Sequence, residues 1–394
     1  MKICAVICEY NPFHNGHRYQ LNEIRARSGC DKILCLMSGN FTQRGEATIL
    51  GKYQRARHAV ECGADLVLEL PAAFSVSSAE LFAKGAVHIL GSIPSVTTLA
   101  FGCESGDKES FLAAAQATLN ESKEFKAALK ENMKGGTSYI RARNAAVLAF
   151  HDEIDESLLS APNNVLGTEY CRAILAEKVK IEPLPITRIG GGYADTSLFK
   201  NFSSATALRA CLKEDTRKAR KALKRNVPEH VLDDLKNAKD LPFEQACFCA
   251  LAAAEAEDVA DCPDCSEGLE NRLKSMARYN PEYDAALAKI VSKRYTLSRL
   301  KRILTQNFLG VYLKDVRSYV QSQLYYKVLA VKKTDAENLL GELSKGEFPS
   351  VVRKSDYNLL KKDARDCFET DVYANDMYNA LSGEYTGEFD TLFV

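Results

Sequence analysis

The chain has 394 residues, 46% of them hydrophobic and 26% charged, and its 52 basic and 52 acidic side chains cancel to a formal net charge of zero. That is the profile of an ordinary globular chain, and at this length two or three domains are expected rather than one. No stretch approaches the roughly 18 consecutive apolar residues of a membrane span, and the opening Met1–Cys8 is too short and too soon polar for a signal peptide; neither membrane insertion nor export is expected, and a cytoplasmic location is.

In chain order, Ile3–Cys8 reads as a strand, Asn15–Arg27 as a helix, Lys32–Met37 as a strand, Tyr53–Cys62 as a helix, Leu66–Leu70 as a strand, Ala79–Leu90 as a helix and Thr97–Phe101 as a strand. Strands separated by helices of this size predict βαβ units and a parallel sheet, whose ligands sit beyond the carboxyl ends of the strands. The residues there are polar: Glu9–His17, Ser38–Gly45 and Gly102–Glu104. Ser160–Gly167 leads to a further strand at Pro183–Arg188 and to Gly190–Tyr193, which reads as a turn. From about Arg217 helix follows helix, with a boundary between 215 and 230. The expected architecture is α/β: a Rossmann-like parallel-sheet domain over 1–220, then a mainly helical domain over 221–394.

Thirteen cysteines are scattered through apolar runs, which suits small buried hydrophobes in a reducing compartment. Cys247, Cys249, Cys262 and Cys265 meet the spacing of a zinc site only weakly, and no metal ligand is assigned. Two runs depart from the neutral total: Arg217–Arg225, with six basic residues in nine, and Lys293–Arg302, with five. The first suits a solvated helix face and RNA contact equally. The second is read as RNA-binding through Lys293, Arg294, Arg299 and Arg302, with Tyr295 as a stacking surface for an unpaired base. Arg44 and Lys52 suit either surface charges or phosphate contacts, and Glu9 an arginine partner.

His14-Asn-Gly-His17 stands at a strand-to-helix turn. Two imidazoles three residues apart, with a glycine that lets backbone approach a ligand, can converge on an anion where the helix adds unpaired N–H groups and its positive end. This suits a phosphoryl group undergoing displacement. A second strand-end-to-helix passage, Phe202-Ser-Ser-Ala-Thr-Ala-Leu-Arg209, offers Ser203, Ser204 and Thr206 to phosphate oxygens and Arg209 to a leaving diphosphate. Together the two passages are signatures of the nucleotidyltransferase superfamily.

The resemblance goes further. Ile7–His17, Met37–Gly45, Gly63–Pro71, Phe101-Gly102, Pro162–Tyr170, Arg188–Tyr193, Ser266–Arg272 and Lys293–Arg299 closely resemble the bacterial tRNA(Met) cytidine acetate ligase family over nearly the whole chain. The resemblance implies a nucleotidyltransferase domain that activates acetate with ATP, with Mg²⁺ bound largely through phosphates and water. It further implies acetyl transfer to the wobble cytidine of elongator tRNA(Met). His14 and His17 are then catalytic. ATP contacts fall on Ile7, Cys8, Glu9, Tyr10, Asn11, Pro12, Phe13, Asn15, Gly16, Arg18, Tyr19 and Gln20, with Gly102, Asn163 and Arg188 beyond them; Asn163 and Asn164 compete for one role. The alternatives are a small-molecule adenylyltransferase, which needs no basic helical second half, and a nucleotide- and RNA-binding protein without turnover.

Overall fold

A computed structural model of the chain describes residues 1–119, 122–134, 139–189, 202–214, 216–280 and 282–394. The predicted turn at Gly190–Tyr193 lies outside these residues. Five strands, β1 (Ile3–Cys8), β2 (Lys32–Ser38), β3 (Leu66–Leu70), β4 (Val96–Cys103) and β5 (Glu182–Thr187), lie parallel in the order β5-β4-β1-β2-β3. Each predicted strand of the first half is present, its ends moved by no more than two residues. The chain steps outward from β1 through β2 to β3, then returns to the other side of β1 for β4 and β5. That reversal between β1 and β4 is where such a sheet leaves a crevice at its carboxyl edge.

Beyond Arg217 the chain is mainly helical, as expected, but it is not helix throughout. Three strands come from that region: β6 (Tyr326–Val331), antiparallel to β3 with Leu66 opposite Val331; β7 (Ser350–Val351); and β8 (Leu392–Phe393). The sheet therefore continues across residue 220. Tyr326–Val331 is buried at every position. A short strand covered on both faces carries no alternation of polar and apolar residues, so periodicity cannot separate it from a buried helical turn.

Alternation along β1 to β4 sends Ala5, Leu34, Leu68 and Leu99 into one hydrophobic core and Val6, Cys35, Val67 and Ala100 into another. The first core runs on through Phe243, Leu273, Leu300 and Phe368 of the later helices, and Cys262 and Cys265 are buried in it. The second packs the helix Asn15–Arg27, through Leu21 and Ile24, against Leu208, Ala219 and Leu223. No helix among the described residues is long and apolar enough to cross a membrane.

Candidate active site

The chain leaves β1 through Tyr10, whose backbone is left-handed (φ 49°), and enters the helix Asn15–Arg27 with His14 as its N-cap. His14 Nδ1 accepts the amide N–H of Gly16 at 3.0 Å, and His17 Nδ1 accepts the amide N–H of His14 at 3.3 Å. This reciprocal cap satisfies donors that a helix start leaves unpaired. With both Nδ1 atoms accepting, each neutral ring carries its proton on Nε2. The rings stack with centroids 3.7 Å apart and planes at 19°, so the motif stacks two rings that each carry an Nε2–H donor.

Burial, and then the Arg188 guanidinium, lower the His14 pKa to about 3. Burial, His14 and Arg188 together hold His17 well below the usual imidazole range. Both rings are thus neutral donors at pH 7. A Cβ at Gly16 would come within 2.8 Å of His14 Cε1, so the glycine is required by the packing of this ring over the helix start as well as by ligand approach.

The two rings open onto a cleft at the reversal between β1 and β4. Among the residues expected to hold nucleotide, Ile7, Cys8, Glu9, Tyr10, Asn11, Gly16, Tyr19, Gln20, Gly102, Asn163, Arg188, Ser203, Ser204, Thr206 and Arg209 line it. Pro12, Phe13, Asn15 and Arg18 do not. Pro12 and Phe13 are buried beneath the turn, Asn15 donates to the Arg225 carbonyl at 2.8 Å, and Arg18 faces solvent. Positions 15 and 18 each lie one residue beyond a histidine, about 100° around the helix from the face that His14 and His17 share.

The second passage meets the first across the cleft. Arg209 donates to the Asn11 carbonyl at 3.0 Å and to Glu46 at 3.3 Å, and Arg44 donates to Thr206 Oγ1 at 3.0 Å. Arg44, Arg188 and Arg209 thus bring three guanidinium groups to one cleft with the paired histidines. Glu9, also in the cleft, accepts the amide N–H of Gln43 at 2.9 Å. Burial raises its pKa, opposed by that hydrogen bond and by Arg44 and Arg209. Phe82, Phe101, Leu166, Tyr170 and Ile186 supply an apolar wall that sequence reasoning did not assign to the site.

Arg55 was also missed. It is fully buried and donates to the carbonyls of Glu9, Ser38, Gly39 and Leu50, tying together the loops that follow β1 and β2. No local pattern marks it, because its partners are backbone atoms distant in sequence.

Asn163 and Asn164 differ in placement and hydrogen bonding. Asn164 is fully buried; its Oδ1 accepts from the Glu104 and Ser105 amides and its Nδ2 donates to Ser105 Oγ and the Ser157 carbonyl. Asn163 lines the cleft, with Nδ2 held by Glu104 at 2.5 Å. Asn163→Ala is expected to weaken ATP binding about tenfold, roughly 1.4 kcal/mol, with little change in stability. Asn164→Ala is expected to cost about 1–3 kcal/mol of stability by stranding buried amides. ATP titration beside urea unfolding of both variants checks this; equal effects of both on ATP binding would refute the assignment.

In Lys293–Arg302 two expectations need correction. Tyr295 is 8% exposed and sits in the first core with Arg272, Arg294 and Arg299 stacked around its ring at 5.6–5.9 Å, so no base can stack on it. Arg302 is buried in a two-pronged pair with Asp264, both contacts at 2.9 Å. Arg294 pairs with Glu267, and Arg299 donates to the Asp264 carbonyl and Ser266 Oγ. Lys293 alone of the five is fully exposed. Lys52, too, is buried, in an ion pair outside the cleft.

Among the described residues no group of three His, Cys, Asp or Glu side chains is placed to hold a metal ion. Glu9 is the one carboxylate among the described lining residues, and it is engaged by Gln43. Among the described residues, the cleft is thus lined by N–H donors and cations suited to phosphate.

The chain matches the HIGH nucleotidyl transferase family over residues 1–390. It is 36% identical to the tRNA(Met) cytidine acetate ligase of Clostridium novyi, covering 99% of this chain and 98% of that one. It is also 36% identical to the protein of the same name from Clostridium kluyveri, covering 97% and 95%. Among solved structures it resembles the apo crystal structure of Thermotoga maritima TmcAL, with a TM-score of 0.92 at 29% identity and full coverage of both chains. A second crystal structure of that protein, bound with alpha-thio ATP, superposes with a TM-score of 0.88 at 28% identity, again over all of both chains.

Proposed function

The chain belongs to the HIGH nucleotidyl transferases and, within them, to the tRNA(Met) cytidine acetate ligase family, and from that premise we propose that it joins acetate to ATP and acetylates the wobble cytidine of elongator tRNA(Met). The observation that carries this reading is the stacked pair of neutral imidazoles of His14 and His17, each with its proton on Nε2, in one cleft with Arg44, Arg188 and Arg209.

Acetate oxygen attacks the α-phosphorus of ATP, the bond to the β-phosphate breaks, and diphosphate leaves. The step needs little covalent help from protein; it needs in-line positioning and donors where charge spreads on the phosphoryl oxygens. His14 and His17 supply those donors in a partly desolvated turn, where they act more strongly than in water. Arg44 and Arg209 hold the departing diphosphate at the Thr206 end, and Gly102, Asn163 and Arg188 hold the nucleoside side. The cytidine N4 amine then attacks the acetyl carbonyl, AMP leaves, and the amine gives up one proton, forming N4-acetylcytidine. No serine or cysteine nucleophile is required.

Glu9 is the one carboxylate among the described lining residues and is engaged by Gln43, so Mg²⁺ bound with the triphosphate would rely on the phosphates and would supply charge neutralisation there. Residues 1–220 hold ATP and acetate, and the helices of 221–394 face tRNA, with Lys293 as their exposed cation in the stretch 293–302. The enzyme works in the cytoplasm, with its tRNA. Incubation with ATP, labelled acetate and total tRNA, followed by nucleoside analysis, is expected to yield labelled N4-acetylcytidine. Label confined to a small dinucleotide product would instead establish a small-molecule adenylyltransferase.

A further inference from the structure

The helix Arg217–Asn226 presents the strongest concentration of positive charge in a chain whose total is zero. Arg217, Lys218, Arg220, Lys221, Lys224 and Arg225 are all exposed, while Ala219, Leu223 and Asn226, on one stripe, are buried. No acid occurs between Thr216 and Pro228. We infer that this helix is the docking surface for the phosphate backbone of the RNA strand that delivers its cytidine to the cleft. The inference rests on the tRNA reading above and adds where the RNA lies.

Two hydrogen bonds place the helix at the cleft. Its last turn offers the Arg225 carbonyl to Asn15 Nδ2 at 2.8 Å, and Asn15 stands between the two histidines in the motif. Asn226 Oδ1 accepts the amide N–H of Ser203, a cleft residue, at 2.7 Å. The carboxyl end of the helix is therefore fixed to both phosphate-facing passages, and its basic face leads outward from there. Ten residues of helix span about 15 Å, the rise of about four phosphates along one strand.

Fold stability does not account for these cations. Lys224 and Arg225 favour the negative end of the helix, yet Arg217 and Lys218 stand in its first turn, where the helix dipole opposes positive charge. Arg217, Lys221, Lys224 and Arg225 make no ion pair with any acid among the described residues. This contrasts with Arg294 and Arg302, which are neutralised by Glu267 and Asp264. A partner dense in negative charge is what complements such a face.

The quadruple variant Arg217→Gln, Lys221→Gln, Lys224→Gln, Arg225→Gln tests this, with Arg217→Lys, Arg225→Lys as the charge-conserving control. Each lost phosphate contact flattens the plot of log affinity against log salt by about 0.7–0.9, so the quadruple variant should lose about 3 in slope, with KM for tRNA raised at least about tenfold at low salt. Acetate-dependent ATP–diphosphate exchange, which involves no tRNA, should equal wild type in both variants, and the control should keep the wild-type slope. An unchanged slope in the quadruple variant, or loss of exchange along with tRNA binding, overturns the inference, since the helix would then be a mere surface or a structural prop. If the wild-type enzyme itself forms no N4-acetylcytidine on tRNA, the functional reading fails, independently of how the variants behave.

Discussion

Replacing His14 or His17 by Ala should lower acetate-dependent ATP–diphosphate exchange about 10²–10³-fold, because each change removes one N–H donor from the charge that develops on the α-phosphoryl group. The donors are oriented by the fold: the Gly16 amide bonds His14 Nδ1 and the His14 amide bonds His17 Nδ1, so both protons stay on Nε2. The double variant should be little worse than either single one, since the rings stack at 3.7 Å and act as a unit. tRNA affinity should stay near wild type in all three. Unchanged exchange in either single variant would remove that residue from the chemistry. The same rings give a pH signature. His14 is held at about 3 in the fold, while an unfolded imidazole titrates near 6.5. Below about 6.5 the unfolded chain gains a proton that the native state refuses, so stability present above 6.5 is lost as pH falls, by at most about 1.4 kcal/mol per pH unit for this ring. His14→Gln should flatten that slope in urea unfolding measured between pH 7 and 5.

Lys52→Met should cost about 3–5 kcal/mol of stability, the usual effect of stripping the partner from buried charge. Lys52 is 1% exposed, and its ammonium lies 2.8 Å from Glu69 of β3 and 2.7 Å from Glu388 near the carboxyl terminus. Burial works against its charge, but Glu388 and Glu69 more than offset this and keep it protonated. Burial raises the Glu388 pKa to about 7 even with Lys52 opposing it. Without the lysine the two carboxylates lose the ammonium between them and keep Lys327 as a nearby cation, and the last residues of the chain lose their anchor to the sheet. The triple change Lys52→Met, Glu69→Gln, Glu388→Gln should recover much of the loss, as neutral replacements of buried ion groups commonly do. Urea unfolding checks both variants; a Lys52→Met midpoint within error of wild type would mean that the pair contributes nothing.

The site was legible in sequence wherever chemistry and local structure coincide. His14 and His17 stand at a strand-to-helix turn, and periodicity alone predicts both elements and the crevice beyond them. Ser203, Ser204, Thr206 and Arg209 follow the same logic, and all reach the cleft. Asn15 and Arg18 fell within the motif but not within the cleft, because a contiguous stretch of sequence becomes a helix with several faces.

What the sequence alone determined is the βα alternation of the first half and the strand-to-helix turn of His14 and His17, which rest on spacings within a few residues, and the family, which rests on a series of short motifs along the chain. What only tertiary structure decided is which charges stay available. Arg302 and Lys52 look like surface cations in the chain and are buried pairs in the fold, whereas Arg217–Arg225 keeps its positive face exposed. Asp264, Glu69 and Glu388 lie 38, 17 and 336 residues from the cations they neutralise. No periodicity reports such distances; burial and pairing are set when the sheet and its two cores assemble, and they determine which part of a neutral chain can meet a polyanion.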